Sequence, residues 1–226
     1  MTASPGAARG RPAMAAVGVS RVVRSLRRAH DARRFVRENH ADPFRILISC
    51  LLSLRTRDET TSAAAARLFS RGRTPRALAV MPGRQVERAI YPVGFYRVKA
   101  RTIRRVSDII WRRHAGRVPA SMEELLALPG VGRKTANLVL GKAFGLPAIC
   151  VDTHVHRISN RLGWVETRTP AETEKALESV LRPSAWVDIN ELLVRHGQTV
   201  CHPLSPVCSA CRIASLCAKR GVTRSR

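Results

Sequence analysis

Leu128-Pro129-Gly130-Val131-Gly132-Arg133-Lys134-Thr135-Ala136 is a glycine turn that opens into an apolar, helix-patterned segment. Glu123-Glu124-Leu125-Leu126-Ala127-Leu128 precedes it with helical spacing, and the downstream pattern runs from about Arg133 to Gly145, so residues 123–145 read as helix, hairpin, helix. Glycines without Cβ let a backbone approach a phosphate closely, and the N–H groups opening the second helix then donate to it. A plain corner between two helices would look the same without Lys134. A cation in a first helical turn sits where the helix already carries partial positive charge, and a local rule broken this way points to a bound anion or to chemistry. With Arg133 beside it and partial burial expected, the Lys134 amine reads as a nucleophile, and Gly130, Val131, Gly132 and Arg133 as the surface that meets phosphate.

Eighteen residues further on, Val151-Asp152-Thr153-His154-Val155-His156-Arg157 opens another helix. Asp152 is its natural N-cap. Taken alone, the residue favours that capping reading; the functional alternative is a carboxylate that moves protons and stabilises developing positive charge for Lys134. His154 and His156 are read as ordinary helix residues.

Apolar spacing is helical nearly everywhere, with no sustained period-two alternation, so the chain is expected to be all-α, in about ten short helices. Asp42-Pro43 reads as N-cap and first helical residue of a helix whose Phe44, Leu47, Ile48, Leu51 and Leu52 should make it a central core element. Ser121-x-x-Glu124 and Thr169-Pro170-x-Glu172 are capping boxes, and Gly163 and Gly197 are expected helix stops. Residues 101–113 place Ile103, Val106 and Ile110 on one side and Arg101, Arg105 and Arg112, a solvated face, on another. Val93-Gly94-Phe95-Tyr96-Arg97-Val98-Lys99-Ala100 faintly echoes the hairpin as a second backbone contact for phosphate.

Cys201, Cys208, Cys211 and Cys217 form a C-x6-C-x2-C-x5-C pattern. Disulfides are the alternative to metal, but in a reducing compartment such a cluster binds metal more often. Structural zinc favours two close pairs of ligands; one C-x2-C fits four thiolates on a cubane iron-sulfur cluster better. Cys50 and Cys150 read as packed thiols.

The chain has 226 residues, 40 Lys+Arg against 16 Asp+Glu, and a net charge of +24. A field of that sign attracts nucleic acid, although Arg-rich, Lys-poor usage is also what a GC-rich genome writes. The longest apolar run, Ile46 to Leu54, is about half the ~20 residues a membrane span needs, which excludes a transmembrane helix. Residues 1–18 lack an apolar signal region and read as a disordered basic arm, with a transit peptide as the lesser alternative. A bacterial cytoplasm is the expected location.

In that order, Leu128 to Ala136, then Val151-Asp152-Thr153-His154, then the four-cysteine tail, the chain resembles the endonuclease III family, bifunctional DNA glycosylases of the helix-hairpin-helix superfamily. The likeness spans about residues 20–217 and includes Leu51-Leu52-Ser53 with Thr56 and Asp58, and the Gly94 to Ala100 stretch. It implies a two-domain all-α fold with a cleft between the domains. A six-helix barrel would span residues 36–146, and a discontinuous iron-sulfur domain residues 19–35 plus 147–226. The four cysteines would hold a [4Fe-4S] cluster, Lys134 would be the catalytic lysine and Asp152 the catalytic aspartate. The implied partner is double-stranded DNA carrying damaged pyrimidines or abasic sites, met by a monomer with no membrane involved. The implied reaction is attack of the Lys134 amine on the deoxyribose C1′ of a flipped nucleotide, followed by Schiff-base β-elimination.

Two positions depart from the family pattern. Arg55 stands where a glutamine fills the gap left by the flipped base, and Phe95 where a wedging leucine is common. The loop His202-Pro203-Leu204-Ser205-Pro206-Val207 lacks the basic residues that often touch DNA there. Three other readings compete: a monofunctional mismatch or adenine glycosylase, a non-catalytic DNA-binding module and an iron-sulfur electron carrier. The first lacks a reason for Lys134, the second for Lys134 with Asp152, and the third for the hairpin and the charge.

Overall fold

The computed structural model describes residues 12–30 and 42–226, and among them every regular element is helical. Two compact units divide the chain, Arg33–Cys150 and the discontinuous Met1–Ala32 with Val151–Arg226. The domain junction expected near residue 35 lies outside the described residues; the later one falls at Cys150/Val151 rather than at 146/147.

In the continuous unit, α2 (Pro43–Ser53) forms because Asp42 caps it, its side chain accepting from Phe44 N at 2.9 Å, with Pro43 opening the helix. Phe44, Leu47, Ile48, Cys50, Leu51 and Leu52 are buried, so α2 is the core helix that its apolar spacing implies. Full burial of each large side chain contributes about 1.5–3 kcal/mol. α3 (Asp58–Arg71) and α8 (Arg133–Phe144) pack against α2. α6 (Tyr96–Arg113) packs against α4 (Pro75–Val80) and α5 (Gly83–Ile90), turning Ile103, Val106 and Ile110 inward and leaving Arg101, Arg105 and Arg112 exposed. With α7 (Met122–Leu126) the unit holds seven helices among the described residues, one short segment more than the expected barrel.

The second unit is built from α1 (Pro12–Ala29), α9 (Thr153–Leu162), α10 (Pro170–Val180) and α11 (Trp186–Thr199). Helix α1 begins at Pro12, which corrects the reading of residues 12–18 as disordered; an alanine-rich stretch behind a helix-opening proline favours helix. The remainder of the expected arm, residues 1–11, lies outside the described residues. Val19, Val22, Val23 and Leu26 are buried, and Arg27 pairs with Asp188 of α11 at 2.6 Å. Gly163 ends α9 in left-handed conformation, as expected. Gly197 does not end a helix: α11 runs through it to Thr199. A Cβ there would lie 2.2 Å from His154 Nδ1, so this glycine serves the close approach of α9 and α11.

Candidate nucleic-acid interface and cysteine pocket

Ser121 caps α7, its hydroxyl accepting from Glu124 N, and the chain then turns through Pro129–Gly132 into α8. Gly130 has φ +75°, and a Cβ on it would stand 2.9 Å from Thr102 Cγ2 of α6, so the turn is pressed against that helix. Val131 faces inward, 7% exposed, and its N–H closes the turn on Leu128 O at 3.1 Å. Its side chain anchors the turn from the inside. Gly132, Arg133 and Lys134 are exposed, and α8 starts without a side-chain cap, leaving first-turn N–H groups without intrahelical partners. Lys134, the second residue of α8, is exposed rather than partly buried. Its charge and that of Lys142 reach the Cys50 thiol, which burial nonetheless pushes up to about 11.

Arg55 and Phe95 come together in the same unit. The Arg55 guanidinium lies 5.8 Å from the Phe95 ring centroid, and both side chains are exposed. Both residues hold left-handed backbone, φ 54° and 58°, which is uncommon for residues with a Cβ. Beneath them is a residue the sequence reading passed over: Lys99, 8% exposed, donates from Nζ to Leu52 O, Leu54 O and Thr56 Oγ1. Its signal was present, since it stands one turn before Ile103 on the buried side of α6.

Asp152 caps α9 in the other unit. Its Oδ1 accepts from His154 N and Val155 N, each at 2.9 Å. The capping role is therefore real, and both bonds use a single carboxylate oxygen.

In that second unit, Cys201, Cys208, Cys211 and Cys217 line one pocket, walled by Ile158, Leu162, Val207 and Ile213. None of the six cysteines is in a disulfide. Among the described residues no three His, Cys, Asp or Glu side chains converge closely enough to hold one ion. The four cysteines share the lining of one pocket, and four thiolates there have the number and type of ligands that an iron-sulfur cubane takes. Donors point at the sulfurs: Arg161 Nη1 lies 3.3 Å from Cys201 Sγ, and Lys219 N lies 3.3 Å from Cys217 Sγ. Burial pushes the Cys211 and Cys217 thiols up, with the neighbouring cysteines adding to it. Arg161, a second residue missed in the sequence, also donates to His202 O and Pro203 O, holding the 202–207 loop from inside. Cys50 and Cys150 are buried away from this pocket.

Residues 48–183 match the HhH-GPD superfamily, described as base excision DNA repair protein. The chain is 52% identical over 187 residues to endonuclease III of Thermotoga maritima, covering 82% of this chain and 87% of that one. It is 46% identical to the chloroplastic endonuclease III homolog 2 of Arabidopsis thaliana, covering 77% of this chain but 47% of that longer protein. A solved structure of a trapped endonuclease III–DNA covalent intermediate, in an estranged-adenine complex, matches with a TM-score of 0.74 and 38% identity over 80% of this chain and 85% of that one. Among the described residues no helix is long and apolar enough to cross a membrane.

Proposed function

The chain belongs to the HhH-GPD superfamily of base excision DNA repair proteins, and from that membership we propose that Lys134 makes it a glycosylase and abasic-site lyase for oxidised pyrimidines in duplex DNA. The observation that carries the residue assignment is the exposed amine in the first turn of α8, directly behind a hairpin whose helix end lacks a side-chain cap. Gly132 and the first backbone N–H groups of α8 hold a phosphate, with Arg133 as a second cation, which leaves the Lys134 amine for chemistry. That amine attacks C1′ of the flipped nucleotide as the base departs with the C1′–N bonding electrons and takes a proton; the C1′–O4′ bond then opens, O4′ taking a proton, and the resulting imine acidifies C2′ for β-elimination of the 3′ phosphate. Asp152 supplies the carboxylate for these proton movements through the oxygen its capping bonds do not use. Arg55 and Phe95 contact the opened duplex.

Cys201, Cys208, Cys211 and Cys217 hold a [4Fe-4S] cluster in this reading. The four thiols lining one pocket and the N–H donors at two sulfurs support it. The cluster's iron supplies the positive charge that lets four neighbouring thiols ionise, and so staples the C-terminal segment. A bacterial relative at 52% identity and Arg-rich composition support action on DNA in a bacterial cytoplasm.

Borohydride trapping on duplex DNA carrying thymine glycol or an abasic site tests the assignment. A covalent adduct from the unsubstituted protein and none from Lys134→Ala is expected. An adduct that survives Lys134→Ala removes the lysine from the reaction.

A further inference from the structure

Lys99 is one of few lysines in a chain whose cations are overwhelmingly arginine, and it is buried. Burial is costly for an ammonium unless each N–H finds an acceptor. Here there are three acceptors for three N–H bonds: Leu52 O at 2.7 Å, Leu54 O, and Thr56 Oγ1 at 3.1 Å. The two carbonyls belong to the C-terminal end of α2, where the helix carries partial negative charge. Burial lowers the Lys99 pKa, and the hydrogen bonds are what keep the charged form in place.

Those acceptors bracket Arg55 on both sides. Thr56 Oγ1 also accepts from Gly94 N at 3.2 Å, the residue before Phe95. The loops close on each other so tightly that a Cβ at Gly94 would stand 2.8 Å from Arg55 O. One ammonium and one hydroxyl thus join two of the three segments in this unit that carry an exposed, left-handed, non-glycine residue among those described, the third being at Ala115. Such backbone is unfavourable and persists where its surroundings over-determine it, typically where function uses it. A planar guanidinium would not meet three acceptors converging on one nitrogen, so lysine's compact charge suits the position.

We propose that Lys99 is a positioning residue for DNA opening, its ammonium fixing Arg55 through Leu52, Leu54 and Thr56, and Phe95 through Thr56 and Gly94, so that the two side chains enter the duplex as one wedge. This rests on the base-excision reading above. Lys99 itself stays beneath the surface and does not touch DNA.

The test uses the full chain with Lys99→Met and, as a milder lesion that keeps the buried lysine, Thr56→Val. Two substrates are compared: a duplex with an abasic site and 2-aminopurine as the neighbouring base, and a single strand carrying the same abasic site, which has no stack or partner base to displace. The fluorescence rise of 2-aminopurine on binding reports unstacking, and borohydride trapping reports Lys134. Lys99→Met is expected to lose the fluorescence rise and to slow duplex trapping by about tenfold or more, with single-strand trapping within about twofold of the unsubstituted protein. Thr56→Val should show the same split more weakly. Parallel losses on both substrates would mean a merely structural lysine and overturn the proposal, as would both variants keeping the fluorescence rise and duplex rate. No adduct from the unsubstituted protein on either DNA would instead overturn the base-excision reading, and this one with it.

Discussion

A Cβ built on Gly197 would lie 2.2 Å from His154 Nδ1 and 3.0 Å from Arg157 Nη2. Helices α9 and α11 therefore touch through a glycine, and that contact sets the distance between the Asp152 helix and the helix that leads into Cys201. Gly197→Ala must push His154 aside or part the helices. Overpacking of this kind costs about 1–3 kcal/mol, so the melting temperature should fall by roughly 2–12 °C for a chain of this size. Thermal unfolding of the purified protein checks it; an unchanged midpoint would show that the helices can separate freely.

Gly130 poses the corresponding question for the hairpin. With φ +75° and Thr102 Cγ2 2.9 Å from a would-be Cβ, Gly130→Ala strains the backbone and displaces the turn from α6. Left-handed alanine costs about 1–2 kcal/mol. Because the displaced turn precedes the α8 N–H groups, affinity for an abasic duplex should fall by roughly tenfold, and the dependence of affinity on salt should flatten by about one phosphate contact. Titrations at several salt concentrations distinguish this from simple unfolding, which would leave the slope of the folded fraction unchanged.

How legible all this was in sequence depends on whether the signal was local. The α2 core stripe, the caps at Asp42, Ser121 and Thr169, and the hairpin at residues 129–132 are set by neighbouring residues, and they fold as their spacing implies. Gly197 misled because a glycine late in a helical pattern looks like a stop, while its actual neighbour, His154, is 43 positions away in sequence. Lys99 and Arg161 escaped for the same reason: their partners, carbonyls at the end of α2 for Lys99 and in the 202–203 loop for Arg161, become neighbours only after folding. Val131 looked like part of an exposed turn, yet the fold uses it as an apolar peg.

Cys50 is buried beside α8, and its thiol is raised to about 11, chiefly by burial. A folded-state value above the unfolded one means that its contribution to stability is complete below about pH 9 and is lost as pH rises through about 11. Stability measured between pH 8 and 11 should therefore decline, and Cys50→Ala should flatten part of that limb. At pH 8 the native Cys50 should resist alkylation that the unfolded chain accepts; rapid native labelling would contradict its burial.

The cysteine pocket makes a spectroscopic prediction. With a cubane bound, the purified protein should be yellow-brown, absorbing at roughly 400 nm through sulfur-to-iron charge transfer. Cys208→Ser should bleach most of that band and loosen the C-terminal segment, whereas Cys50→Ala, outside the pocket, should keep the full absorbance per protein. Iron and sulfide analysis beside the spectrum decides the matter: a colourless protein with stoichiometric zinc would replace the cluster.

Asp152 carries two jobs that substitution can separate. Its Oδ1 caps α9 through His154 N and Val155 N, and asparagine caps a helix about as well as aspartate because the amide oxygen can accept the same bonds. The carboxylate's charge and its capacity to hold a proton are lost in Asp152→Asn. If the residue only caps, Asp152→Asn should keep both stability and glycosylase rate, and Asp152→Ala should lower stability by about 1 kcal/mol. If it also serves the reaction, Asp152→Asn should unfold within a few degrees of the parent while base release falls by about 10²–10⁴-fold, the usual worth of a positioned acid–base group. The proposed mechanism requires the second pattern: a nearly unchanged melting curve together with a collapsed single-turnover rate. Equal activity in the parent and Asp152→Asn would leave the aspartate as a cap and nothing more.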